Sequence, residues 1–172
     1  MPLPAVVVND VEIPYAQEVL NLGVTFDPFL SWVPHVINVC KKGLSVLSGL
    51  RRKKDLLPRA IRKKLVESLL FPKLDYASSV FLDASFVSRL RIQPIQNAGI
   101  RFIYDLKRDN RITPFRRELK WLNMEHRRLF SFLLFLFKIM LHKKPVYLFS
   151  MLQFLGNVRS NRHSFSVTYT LS

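Results

Sequence analysis

The spacing of apolar positions changes period near residue 28. Ala5-Val6-Val7-Val8 and Val11-Glu12-Ile13 are short β-branched runs on either side of Asn9-Asp10. Asn and Asp tolerate positive φ, so this predicts a tight β-hairpin. A third extended run is predicted over residues 19–26. After Asp27-Pro28 the pattern turns helical. Ser31 is placed to cap a helix reaching about residue 49, with Val33, Val36, Ile37, Cys40, Leu44 and Leu47 as its apolar stripe.

Pro58 opens a second helix to about residue 71, with Ile61, Leu65 and Leu69 inward and Arg59 and Lys63 outward. It is expected to continue past Pro72 over residues 73–82. A third helix is predicted over 86–104. Ile92, Ile95, Gly99, Phe102 and Ile103 share one face of it, and Gln93, Asn97, Arg101 and Arg108 another. Pro94 is expected to kink it near Leu90. Thr113-Pro114 supplies a cap and first turn for a short helix to Lys120. The run 124–142 is apolar nearly all round, with Arg127, Ser131, Lys138 and His142 as its only polar stripe, and is expected to be the buried central helix. Pro145 opens a last short helix to about residue 155. The fold class predicted is mainly α: an N-terminal β-hairpin and short strands, then a helical bundle of about five or six helices. The expected domains are a hairpin segment over 1–28, a helical domain over 29–156 and a polar, loose tail over 157–172.

Charge sharpens this picture. Lys and Arg number 27 against 12 Asp and Glu, a net charge of +15 in 172 residues. Such a surplus repels itself unless an anionic partner neutralises it. Nucleic acid and an acidic membrane surface both qualify; charge that serves only solubility is the plainer alternative. The single cysteine, Cys40, excludes an intrachain disulfide and fits a reducing compartment. Met1-Pro2-Leu3-Pro4 carries no basic, apolar leader pattern. The chain is therefore expected to be intracellular and not secreted. The most apolar stretch, 129–141, is shorter than the roughly 20 residues of a bilayer span and contains Lys138, so no stable membrane insertion is expected.

Little in the sequence points to catalysis. His35, His126, His142 and His163 have no partner at metal-ligand spacing, so no metal site is expected. No phosphate-binding glycine loop or nucleophile elbow is present, and no cofactor is implied. Cys40 falls on an apolar helix face and reads as a packed thiol. Asp27, Asp75, Asp83, Asp105 and Asp109 are scattered, without the adjacent pair a two-metal polymerase site needs. Asp75 reads as a local cap or ion-pair partner. The basic residues, by contrast, cluster. Arg51, Arg52, Lys53, Lys54, Arg59, Arg62, Lys63 and Lys64 surround one acid, Asp55. A second group is Arg101, Lys107, Arg108, Arg111, Arg116 and Arg117. Each group has the composition of a phosphate-backbone contact; for any one residue a solvated helix face is the simpler account.

Several strings, taken in order, resemble the region just after the palm of non-LTR retrotransposon reverse transcriptases of the jockey-like kind. They are Asn21-Leu22-Gly23-Val24-Thr25-Phe26-Asp27 with Leu30-Ser31-Trp32, Leu56-Leu57-Pro58-Arg59, Leu74-Asp75-Tyr76, Ile95-Gln96-Asn97-Ala98-Gly99-Ile100-Arg101-Phe102-Ile103, the run from Ile112 to Leu122, and Pro145-Val146-Tyr147-Leu148. The resemblance covers roughly residues 5–155. The preceding hairpin, Val6 to Ile13, resembles the family's primer-grip hairpin; the resemblance implies that Leu22 and Gly23 are part of the grip strand and that a helical thumb follows. The thumb's partners would be an RNA/DNA template–primer duplex and, in the parent protein, its own palm domain. The basic residues Arg51, Arg52, Lys53, Lys54, Arg59, Arg62, Lys63, Lys64, Arg101, Arg116 and Arg117 are the expected clamp. Pro94 and Lys120 depart from the family pattern. The family's paired metal-binding aspartates lie upstream of the matching region, so no polymerase activity is expected and the chain reads as a truncated copy or a fragment of a larger frame. An inert relic without selected function, or a helical protein-interaction or membrane-surface protein, is the alternative.

Overall fold

The computed structural model describes residues 6–80, 86–154 and 167–168. The chain divides into two compact units, 1–128 and 129–172. As the pattern predicts, short antiparallel strands precede a mainly helical body.

Strands β1 (Val6–Val8) and β2 (Val11–Ile13) pair antiparallel across Asn9 and Asp10, at φ 49° and 62°. Two consecutive positive φ values match the right-handed twist of the flanking strands, as the Asn-Asp pair foretells. The extended run 19–26 does not stay extended. It folds into a second hairpin, β3 (Val19–Asn21) and β4 (Val24–Phe26), turning at Leu22 (φ 46°) and Gly23 (φ 79°). Gly23 enters the left-handed region without a Cβ clash. The β1–β2 hairpin is exposed throughout, whereas β4 buries Val24 and Thr25.

Helix α1 (Val33–Arg51) starts where Asp27 and Ser31 tie the chain. The Ser31 N–H donates to Asp27 Oδ1 at 2.9 Å and the Val33 N–H to Ser31 Oγ at 3.3 Å. Ser31 thus holds the first helical N–H as expected, although the residue in the N-cap position is Trp32, at φ 61°. Its buried face is His35, Val36, Val39, Gly43 and Leu47, while Leu44 is exposed and Ile37 and Cys40 are half-buried. Gly43 sits where α1 crosses α4 (Phe86–Tyr104): a Cβ there would lie 2.9 Å from Ile95 Cγ2. The stripe centres on this residue, which a hydrophobicity pattern scores as neutral. Helix α4 keeps its predicted bounds, with Pro94 inside it. Ile92, Ile95, Gly99, Phe102 and Ile103 all face the core, as their spacing requires.

The second predicted helix is three joined segments: α2 (Arg59–Leu65), a π-helical turn (Val66–Leu70) and α3 (Phe71–Asp75). The Phe71 N–H donates to Val66 O, five residues back. This widened turn accommodates Pro72, which has no N–H and whose ring would collide with the preceding turn of a regular helix. The extra residue rotates the buried face. Val66, Leu70, Phe71 and Leu74 are inside, while Ile61 and Leu69, expected inward, are exposed and Leu65 is half-buried. Residues 81–82 of the expected continuation lie outside the described residues; a turn follows Asp75.

Helix α5 (Thr113–Glu118) has Ile112 as N-cap with Thr113 and Pro114 already in its first turn, so Thr113 is not the cap. Helix α6 (Met124–His142) keeps its predicted bounds but not its predicted place. Met124 and Arg128 are buried. Beyond them Leu129, Phe130, Leu133, Leu134, Phe135, Phe137, Met140 and Leu141 are each 41–62% exposed, and only Ile139 is buried. The expectation of a buried central helix is therefore wrong. The centre of the larger unit is the α1–α4 crossing, with Val66, Leu70 and Leu74 packed against it.

In the second unit, Pro145 caps a shorter helix than expected, α7 (Val146–Ser150). Strand β5 (Gln153–Phe154) pairs antiparallel with β6 (Val167–Thr168), so two residues of the expected loose tail are in a bridge. The rest of that tail lies outside the described residues.

Candidate nucleic-acid interface

The end of α1, the 3₁₀ turn Lys54–Leu56 and the end of α4 bring the two basic groups together. Arg51 and Lys54 from the first group, and Arg101 and Arg108 from the second, line one shallow depression of about 510 Å³ with Ala98, Phe102, Asp105 and Leu106. Arg51, Lys54 and Arg101 are among the residues expected to contact nucleic acid. Arg108 belongs to the second basic group but not to the expected clamp.

The structure sorts the expected contact residues by what they already hold. Arg62 is half-buried and donates to three carbonyls, Leu57 O (2.7 Å), Lys54 O (3.0 Å) and Phe102 O (3.4 Å), and so ties the 3₁₀ turn to α4. Its guanidinium is a structural brace. Arg101 donates to Lys107 O (3.3 Å) and Arg108 O (3.0 Å), closing the loop after α4. Lys54 pairs with Asp105, and its ammonium holds that carboxyl below the ordinary carboxylate range. Lys63 faces Glu67 at 3.9 Å, one turn along. Arg59 stacks over the Tyr104 ring at 4.9 Å, and Tyr104 in turn lies 4.8 Å from Phe115, next to Arg116. Arg51, Arg52, Lys53, Lys64 and Arg117 are exposed and make no ion pair among the described residues. Lys64 and Arg117 are not on the depression.

Leu22 and Gly23, expected in a primer-grip strand, occupy the β3–β4 turn instead. Leu22 is 85% exposed. The Tyr76 hydroxyl donates to Leu22 O at 2.6 Å, and a Cβ on Gly23 would lie 3.3 Å from the Tyr76 ring. Two strings that suggest the resemblance, 54 residues apart, are thus in direct contact. Asp75, beside Tyr76, is structural but not local. It accepts both Arg127 Nε and Nη2 at 2.6–2.8 Å, from 52 residues away, with Arg127 also 4.3 Å above the Phe71 ring. No spacing rule links residues so distant, and the pair escapes sequence inspection for that reason.

Cys40 is a packed thiol. Burial raises its pKa, and Sγ donates to Arg91 O at 3.5 Å. His35 is 2% exposed and accepts the Thr25 N–H at Nδ1 (3.3 Å), while burial and Lys42 push its pKa below the ordinary value. Both are framework groups. Among the described residues no three His, Cys, Asp or Glu side chains group as a metal site.

What this surface offers chemically is anion binding. Guanidinium and ammonium groups ring a shallow floor whose one carboxylate is already paired, with further exposed cations at Arg52 and Lys53 beside it. No family model, curated protein or solved structure matches the chain.

Proposed function

We propose that the chain is a nucleic-acid-binding module, related to the thumb of a non-LTR retrotransposon reverse transcriptase, that grips a template–primer duplex by its phosphate backbone and performs no polymerisation itself. The observation that carries this reading is the meeting of the two basic groups at one depression, with Arg51, Lys54, Arg101 and Arg108 around it. A shallow, cation-rimmed surface without an enclosed slot reads charge and spacing, not base edges. The Tyr76–Leu22 contact supports the same relation, because it joins the Asn21–Asp27 and Leu74–Tyr76 strings of the resemblance.

The test is a salt titration of duplex binding with the full chain and the variant Arg51→Ala/Arg52→Ala/Lys53→Ala. These three exposed residues lie outside the core, so the variant should unfold like the parent. Lys54 is left in place because it holds Asp105. A cation that neutralises a phosphate releases condensed counterion, so on duplex DNA the log–log slope should flatten by about 0.9 for each phosphate left without its cation. Affinity should fall similarly for unrelated sequences. An unchanged slope would show that the cluster is a solvated link, and metal-dependent primer extension by the chain would refute the non-catalytic part of the proposal.

A further inference from the structure

We propose that the exposed apolar face of α6 docks on the surface of an anionic lipid bilayer. Phe130, Leu133, Leu134, Phe137, Met140 and Leu141 are 41–62% exposed. At 3.6 residues per turn they fall within an arc of about 120° on one side of the helix. The arc contains no charged residue, and the sole cation of the stretch, Lys138, borders it. An uncharged face of this width lies exposed only at a cost that burial in an apolar phase removes.

The occupant follows from charge. Residues 129–172 contain no aspartate or glutamate and five lysines or arginines, whereas all 12 acids of the chain precede residue 129. The acid-free segment is also the one with the exposed apolar face, and Lys143 and Lys144 stand exposed just beyond the helix end. Val146, Tyr147 and Met151, which follow them, are 65–71% exposed. Apolar side chains bordered by lysines are the composition of a helix lying in a lipid headgroup region, where acyl chains take the apolar face and anionic headgroups the cations. A phosphate backbone offers nothing to a phenylalanine face. A second copy would set two acid-free basic segments against each other. Spanning is not implied, since no helix among the described residues is long and apolar enough to cross a membrane.

The experiment uses the full chain with large unilamellar vesicles of phosphatidylcholine alone or with one-third phosphatidylserine. Co-sedimentation is expected with the mixed vesicles and much less with neutral ones. Phe130→Glu/Phe137→Glu should bind at least tenfold more weakly, since each phenylalanine would forfeit its apolar transfer and add an unfavourable charge. Both positions are exposed, and unchanged far-ultraviolet dichroism verifies the fold. Phe137→Trp gives an independent readout: its emission, taken as the difference from the parent, should shift blue on the mixed vesicles and be quenched by brominated acyl chains. The proposal fails if the parent does not sediment with the mixed vesicles, if the double glutamate variant sediments equally, or if the Trp emission does not move. It fails equally if Arg51→Ala/Arg52→Ala/Lys53→Ala abolishes vesicle binding while Phe130→Glu/Phe137→Glu leaves it unchanged. A parent dimer that the glutamates dissociate, without vesicle binding, would assign the face to self-association instead.

Discussion

Helices α4 and α6 have the same length, 19 residues, and opposite fates. Helix α4 carries Gln93, Pro94, Gln96, Asn97 and Arg101, yet Ile92 and Ile100 are fully buried. Helix α6 is richer in Phe and Leu, yet most of them from Leu129 onward stand in the open. Apolar content is therefore not what buries a helix here. Helix α4 is buried because its neighbours fit it. Gly43 lets α1 approach Ile95, and a Cβ on Gly99 would lie 3.1 Å from Leu70 and 3.2 Å from Val66. Two of its polar side chains have partners across the fold: buried Gln96 donates to Leu122 O at 2.8 Å, and Gln93 accepts the Met124 N–H at 2.9 Å. Burial of polar groups is tolerable when each finds its partner.

The sharpest way to break this contrast is a pair of truncations. Ile100→Ala, at a fully buried site, should destabilise by about 2–5 kcal/mol in urea denaturation, because it removes apolar transfer and leaves a cavity. Phe137→Ala, at a site 54% exposed, should shift stability by no more than about 0.5 kcal/mol. Equal effects would mean that α6 is part of the core after all.

A second pair separates close packing from helix propensity within α1. Gly43→Ala drives a methyl into Ile95 and should cost about 1–3 kcal/mol. Gly49, with nothing near its would-be Cβ, should accept alanine with a gain of up to about 1 kcal/mol. Matching signs for the two, in the same denaturation assay, would remove Gly43 as the reason α1 and α4 meet.

A third expected effect is a pH dependence seated where β4 meets α1. His35 has a folded pKa below its ordinary 6.5, set mainly by burial and secondarily by Lys42. Well above pH 6.5 both folded and unfolded states hold it neutral and no term arises. Below 6.5 the unfolded chain takes up a proton that the folded chain resists, so stability falls with decreasing pH, by at most about 1.4 kcal/mol per pH unit for one group. Thermal melts between pH 7.5 and 5.5 should show this slope, and His35→Asn, which keeps an acceptor near the Nδ1 position for Thr25, should flatten it. An equal slope in the variant would place the titration elsewhere.

Sequence patterns locate the helices well and their faces unevenly. The bounds of α4 and α6 and the Asn9-Asp10 turn follow from periodicity and backbone preference, which are properties of a few adjacent residues. Periodicity misplaces the inward face of the 59–75 helix because a π turn changes the very period on which the assignment rests. The hairpin at Leu22-Gly23 escapes it because leucine gives no turn signal, and the Tyr76 hydroxyl that bonds the turn carbonyl comes 54 residues later. In the candidate interface, the two basic clusters are legible as composition. Their division into braces, such as Arg62, and exposed cations, such as Arg52 and Lys53, is not.

By itself, then, the sequence determined the mainly helical class, the limits of α4 and α6 and the charge, all of which depend on local preference or on simple addition. Only the tertiary structure decided which apolar faces are covered, that Arg127 reaches Asp75, and that Arg51 and Arg108 border the same depression. Those outcomes depend on residues some 50 positions apart meeting in space, and such meetings follow from how helices fit together, a property that no window of neighbouring residues contains.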